Sequence, residues 1–313
     1  MAQSVLNAPH FQDEVAAFAY VEERLWPNGP VCPHCGSTER LARVATQRTK
    51  PSKLHPEGKL TVGLWRCYAC DGRFTVRVGT IFEDSHVPLH LWLQVIHLMC
   101  ASKKGIATRQ IQRMLQCSMK TAWHLGHRVR LAFTPKDAGA LGGFGVTVEA
   151  DETELAKSRK TKRPEGHRRR DNPIVLSLVE RGGRVRSMWV DHRMIGPLLR
   201  QHVHEDSRIV TDKAQHYKFS GHAAHESVDH SKYEWTRGDV HTNTLEGFFS
   251  IVKRGLIGVY QRVDERHLDR YLSEFDFRQN TRARLGVDDV RRAEIALQGV
   301  KGKRLMYRDS FAG

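Results

Sequence analysis

Val146-Thr147-Val148-Glu149-Ala150-Asp151-Glu152-Thr153 decides how the second half of this chain is read. It opens as an apolar β run and turns acidic, with Asp151 where the run meets polar residues. A second run, Arg208-Ile209-Val210-Thr211-Asp212, also closes on an aspartate. A third acid, Glu246, sits in the helical stretch His241-Thr242-Asn243-Thr244-Leu245-Glu246-Gly247-Phe248-Phe249-Ser250. Carboxylates at two strand ends and on one helix suit hard, oxygen-seeking cations such as Mg²⁺. Two such ions clamp the attacking and leaving oxygens of an in-line phosphoryl displacement. With 35 acidic residues in 313, a triple of acids is a weak sign alone. Its neighbourhood gives it weight.

Each acid has rivals. Glu149 and Glu152 flank Asp151, and Glu149 shares its strand parity, which leaves a supporting role open. Asp206 and Asp229 do not end an apolar run as Asp212 does. Asp239 precedes the helix of Glu246. Along that helix Asn243, Glu246, Ser250 and Lys253 fall on one face. Lys253 and Arg254 there suit a DNA phosphate. Asn243 either holds metal-bound water or caps the helix. The spacing predicts a strand over 146–151 and strands over 174–180 and 185–190 joined by a two-residue hairpin at Gly182-Gly183. A helix over 196–203, a short strand over 207–211 and helices from Asn243 onward follow.

Net charge is +15, with 50 Lys and Arg. Such an excess favours a polyanionic partner, through phosphate neutralisation and counterion release. Eight of these cations crowd residues 157–170 against Glu165 alone. Pro164 and Gly166 argue against a helix there. The run reads as a loop gripping DNA backbone, with Arg159, Lys160, Arg168 and Arg169 as contacts. Hydrophobic residues at 40% fit a globular chain. No apolar run reaches the roughly 18 residues of a membrane span, and Met1-Ala2-Gln3-Ser4 opens no secretory signal. The expectation is a cytoplasmic, nucleoid-associated protein with no membrane partner.

Before the acids come Cys32-Pro33-His34-Cys35 and Cys67-Tyr68-Ala69-Cys70. Two such knuckles place four thiolates around one structural Zn²⁺. Four thiolates close the site, so His34 is not expected to bind. Gly36 and Gly72 supply tight turns, and strands are expected over 41–45, 61–67 and 73–78. A helix over 11–26, its N-terminal turn supported by Asp13, precedes the ribbon. Cys100 and Cys117 fall in apolar helical contexts and read as core. Helices over 88–101, 107–115 and 119–133 follow, with Gln116-Cys117-Ser118 as a turn and Ser118 as N-cap. The last carries Lys120, Thr121, His124, His127, Arg128 and Arg130 on its polar side. A short helix, a three-residue turn and a basic helix describe a helix-turn-helix reading DNA. Residues 135–145 form a Gly/Ala-rich linker.

The chain resembles bacterial insertion-sequence transposases with an N-terminal zinc ribbon and an ISXO-type DDE domain. The likeness rests on Trp26-Pro27-Asn28-Gly29-Pro30-Val31 running into the first knuckle, on Phe74-Thr75-Val76, Gly79-Thr80-Ile81-Phe82 and Lys120-Thr121-Ala122-Trp123. It continues through Glu149-Ala150-Asp151-Glu152-Thr153 and Val210-Thr211-Asp212. The stretch from His241 to Gly255, followed by Gly258-Val259-Tyr260, is its most specific piece. The resemblance places the catalytic acids on Asp151, Asp212 and Glu246. Leu155-Ala156-Lys157 departs from the glycines often found after the first acid. The implied fold is multidomain α+β, with a ribonuclease H-like catalytic domain built on a mixed sheet. The expected domains are 1–85 (helix and ribbon), 86–134 (helix-turn-helix), 146–285 (catalytic) and 286–313 (basic tail). The implied function is binding of terminal inverted repeats, then Mg²⁺-dependent cleavage and strand transfer. Double-stranded DNA at element ends and target would be the partner, with a homodimer or larger assembly at synapsis. The competing readings are a DNA-binding regulator without catalysis and a ribonuclease H-like nuclease.

Overall fold

The structure is a computed structural model that describes residues 4–53, 56–58, 60–136, 139–155, 174–213, 217, 221–222, 224–229 and 232–306. The cationic run at 157–170, with Arg159, Lys160, Arg168 and Arg169, lies outside the described residues. The chain divides into two units. One comprises 1–102, 108–133 and 288–313, the other 103–107 and 134–287. Together they are mixed α+β, with a zinc-ribbon-like N-terminal region and a mixed sheet.

In the first unit the helix expected over 11–26 is broken in two. α1 (Pro9–Gln12) stops at Asp13, and α2 (Glu14–Leu25) begins there. Asp13 is extended (φ −122°) and its carboxylate accepts from the Ala16 N–H at 2.7 Å. It is therefore an N-cap, which the apolar period ran straight through. The ribbon follows in short pieces: β1 (Leu41–Arg43), β2 (Gln47–Arg48), β3 (Leu60–Thr61), β4 (Trp65–Cys67) and β5 (Arg73–Phe74). β4 pairs antiparallel with β1 and β5, and β2 with β3. Cys32, Cys67 and Phe74 are buried beside Trp26, Leu41, Trp65 and Val78.

α3 (Leu89–Ala101), α4 (Thr108–Leu115) and α5 (Met119–Phe133) come next. α3 packs on α1, α2, α5 and α9 (Asp289–Gln298). The expected tail is thus part of this unit, with Ala296, Leu297 and Val300 buried. Gly299 explains the fit, because a Cβ there would lie 2.2 Å from the Ala132 carbonyl oxygen.

The second unit is built on a five-stranded sheet of β6 (Thr147–Glu154), β7 (Ile174–Glu180), β8 (Val185–Val190), β9 (Arg208–Asp212) and β10 (His225–Val228). Its order is β10-β9-β6-β7-β8. β6, β7 and β8 run antiparallel in succession; β9 lies parallel to β6, and β10 parallel to β9. β6 runs three residues past Asp151, because Glu152, Thr153 and Glu154 still pair with Leu176, Val175 and Ile174. The β7–β8 turn takes three residues, closed by Glu180 N–H donating to the Arg184 carbonyl at 2.8 Å.

Side-chain alternation sends the two faces to different helices. Val148, Ala150, Leu176, Leu178 and Ile209 pack with Ile195 and Leu199 of α6 (Ile195–His202). Val175, Val179 and Val185 pack on the other face, with Leu245, Phe248, Phe249 and Val252 of α7 (Asn243–Gly255). Leu268, Tyr271, Leu272 and Phe275 of α8 (Leu268–Asn280) complete that layer. α8 also covers the free edge of β8. The backbone N–H groups of Val185, Ser187 and Trp189 donate to Asn280, Asp276 and Asp269 at 2.7, 2.7 and 3.2 Å. An edge strand so occupied is closed to further pairing.

Candidate metal and nucleic-acid sites

The four ribbon cysteines converge. Their sulfurs lie within 4.8 Å of one another, with Cys32–Cys70 and Cys35–Cys67 both at 3.7 Å. Thiolates around a tetrahedral zinc, at about 2.3 Å from the metal, stand about 3.8 Å apart. The donor set and spacing therefore fit that ion. The knuckles share one geometry. Cys32 N–H donates to Ser37 and Cys67 N–H to Gly72, at 2.9 and 2.8 Å. The residue after each second cysteine is left-handed, Gly36 at φ 76° and Asp71 at φ 56°. The sequence singled out Gly72, yet Asp71 is the counterpart of Gly36. Arg66 steadies it with bonds of 3.0 and 2.6 Å to its carboxylate. Gly72 is needed for space, since a Cβ would lie 2.8 Å from the His34 ring. Burial opposes ionisation of Cys67. The N–H groups of Cys70 and Ala69 and the neighbouring thiols outweigh it and bring the thiol down to about 7. His34 stays exposed, its Nε2 3.3 Å from the Arg73 carbonyl. Cys100 is buried and Cys117 half-buried, outside the cluster.

The acids of the second unit are placed by the parallel register of β6 and β9. Ala150 pairs with Thr211, so the next residues, Asp151 and Asp212, stand abreast on neighbouring strands. Asp151 shares its face with Glu149 and Thr153, partners of Val179 and Val175, which pack toward α7 and α8. α7 carries Glu246 in its first turn. Asp151 and Asp212 are partly buried and Glu246 is exposed. The Asp151 carboxyl is pushed up to about 7, first by burial and then by the negative charge of Glu152, Asp212 and Glu246. The Glu152 N–H, donating at 2.9 Å, only partly offsets this. Like charges crowded in this way are relieved by a bound cation. Among the described residues, the acids do not draw together as tightly as the cysteines do.

Glu149 and Glu152 are engaged elsewhere. Glu149 is buried at the start of α7, and Glu152 accepts from the buried Tyr217 hydroxyl. On α7, Asn243, Glu246, Ser250 and Lys253 are exposed together, while Leu245, Phe248, Phe249 and Val252 are buried. Lys253 and Arg254 are exposed in its last turn, and Arg254 Nε donates to the Ser250 carbonyl at 2.9 Å.

The basic side expected of α5 is only partly exposed. Lys120 is exposed, Thr121 and His124 are half-buried, and His127, Arg128 and Arg130 are buried. Arg128 turns inward, donating to the Glu83 carbonyl at 2.5 Å and lying over the Trp92 ring. That corrects the sequence reading of Arg128 as an exposed contact. Ser118 caps α5, its hydroxyl accepting from the Thr121 N–H at 3.1 Å. The edge strand β10 was not foreseen, because His-Glu-Ser-Val carries little apolar alternation. His225 there is half-buried, its Nε2 2.9 Å from the Thr211 hydroxyl.

Comparison with known proteins agrees with this arrangement. Residues 140–280 match the family described as ISXO2-like transposase domain, a span holding Asp151, Asp212 and Glu246. Residues 12–73 match the transposase zinc-ribbon domain, a span holding all four ribbon cysteines. The chain therefore carries matches to both a transposase zinc ribbon and an ISXO2-like transposase domain, in that order. It is also similar to an uncharacterized protein in transposable element ISH50 of Halobacterium salinarum. The two are 25% identical over 286 residues, covering 86% of this chain and 92% of that protein. No solved structure matches the chain. Among the described residues, no helix is long and apolar enough to cross a membrane.

Proposed function

We propose that this chain binds the ends of its insertion sequence, cuts them and joins them to target DNA. The observation that carries the reading is the register that sets Asp151 beside Asp212 on the face turned to the helix of Glu246. The order β8-β7-β6-β9-β10, antiparallel for three strands and then parallel, supports a ribonuclease H-like domain. Asp151, Asp212 and Glu246 would hold two divalent cations, Mg²⁺ by their all-oxygen donor set. Such ions supply charge neutralisation and polarise the reacting oxygens of an in-line displacement. Lys253 and Arg254, on the same helix as Glu246, would hold DNA backbone by charge.

Four cysteines would hold one structural Zn²⁺ in the ribbon. α4, the turn at Gln116 (φ 49°) and α5 are read as a helix-turn-helix. It would meet DNA through Lys120, Thr121 and His124 at the start of α5. Arg159, Lys160, Arg168 and Arg169 are proposed to grip backbone without sequence preference. Cutting two ends in concert calls for at least two copies in the synaptic complex.

The test compares wild type with Glu246→Gln on a labelled duplex carrying the element's end. The variant should bind that end as wild type does and cut it at least a hundredfold more slowly in Mg²⁺, on the order of the loss of one transition-state electrostatic contact. Cleavage by the variant at the wild-type rate would remove Glu246 from the site. Binding by wild type without cleavage in Mg²⁺ or Mn²⁺ would favour a regulator.

A further inference from the structure

Glu149 is fully buried, yet it is a carboxylate on the face of β6 that bears Asp151. Its partners explain it. Thr242, at the N-cap of α7, makes no side-chain capping bond. Glu149 supplies the cap from another element. Its Oε2 accepts from the N–H groups of Thr244 and Leu245 at 3.1 and 3.3 Å, and its Oε1 from the Thr244 hydroxyl at 2.9 Å. The N–H groups of the second and third helical residues are those a capping side chain normally satisfies. Arg181 completes the arrangement. Its Nε donates to Glu149 Oε1 at 2.8 Å and its Nη2 to the His241 carbonyl at 2.9 Å. The segment entering α7 and the first turn of α7 are thus fastened to one point on β6. Asp151 stands two residues beyond that point on the strand, and Glu246 one residue beyond Leu245 on the helix.

We propose that Glu149 is a positioning residue, holding Glu246 opposite Asp151 by capping α7 from β6. The inference rests on the reading of Asp151, Asp212 and Glu246 as ligands of divalent metal. Both Glu149 oxygens are occupied by donors, so Glu149 acts through Glu246 and not on the metal. Glutamine at this position retains one acceptor oxygen and turns an amide N–H₂ toward the helix donors.

Mn²⁺ binding, followed by electron paramagnetic resonance on the full chain, tests this without requiring activity. Four proteins are compared: wild type, Glu246→Gln, Glu149→Gln and the double variant. Glu149→Gln should weaken Mn²⁺ binding about 10–100-fold, the range seen when a residue supporting a metal ligand is removed. In the Glu246→Gln background the same substitution should change binding little, because the ligand it places is already gone. Full Mn²⁺ affinity in Glu149→Gln would overturn the proposal. So would fully additive losses in the double variant, which would mark a general weakening of the fold. If Glu149→Gln does not fold, Thr244→Val removes the hydroxyl bond alone, and it should shift affinity the same way by less. Unchanged affinity in Thr244→Val would then overturn the proposal. A wild type that binds no Mn²⁺, or a Glu246→Gln that binds like wild type, would instead bring down the metal-site reading, and this inference with it.

Discussion

Glu149 and Asp151 stand two residues apart on one face of β6. Helix N–H groups, a hydroxyl and a guanidinium converge on the first. Burial, and then the carboxylates around it, lift the second to about 7. The sequence gives both residues the same parity and similar neighbours, so it could mark Asp151 and leave Glu149 open. Only the arrival of α7 from almost a hundred residues away separates them. Asp276 was not legible at all. It lies mid-helix in α8, where nothing local marks it, yet it accepts from the Ser187 N–H and hydroxyl, both at 2.7 Å. Burial pushes its carboxyl up to about 7, against the pull of the Ser187 bonds and the Arg186 charge. An unfolded aspartate ionises near 3.9. Between about pH 4 and 7 the folded chain therefore binds more protons than the unfolded one at this site, and stability falls as pH rises. Asp276→Asn should flatten that decline in urea midpoints measured across the window. An equally steep decline in the variant would contradict the assignment.

At the scale of elements, hydrophobic period and cysteine spacing carried most of the reading. α3, α5, α7 and α8, the β7 and β8 strands and the two knuckles form close to where their patterns put them. The misses are polar. Asp13 splits the first helix by capping, and β10 pairs through backbone more than through an apolar face. Asp269, Asp276 and Asn280 lie off the apolar stripe of α8, and they meet the edge of β8. A helical period reports which side of a helix is apolar; it does not report what the other side meets. In the ribbon, Cys67 is buried and its thiol is poised near neutrality by neighbouring N–H groups. Cys67→Ser should lower zinc content well below one ion per chain and open the ribbon to proteolysis, because a structural zinc holds its fold together directly. Full zinc occupancy in that variant, measured by atomic absorption, would remove Cys67 from the ligand set.

At the scale of the whole molecule, the expected division at residues 85 and 286 does not describe the units seen. The ribbon, the central helices and the C-terminal helix belong to one unit, and the mixed sheet with its acids to another. The basic charge beyond Val287 suggests a tail, helical up to about Val300; the helix forms as α9, and the buried Ala296, Leu297 and Val300 make it part of the first unit's core. The charge of +15 was legible from composition and points to a polyanion. It says nothing of chemistry, which rests on the sheet register and on α7. The most direct test of that chemistry is strand joining. Purified protein would be incubated with a labelled duplex carrying the element's end and an unlabelled target duplex, in Mg²⁺ and in EDTA. The account expects label to move into the target only in Mg²⁺, and not with Asp151→Asn. Joining that persists in EDTA, or in Asp151→Asn at the wild-type rate, would contradict it; cutting without joining would leave a nuclease in place of a transposase.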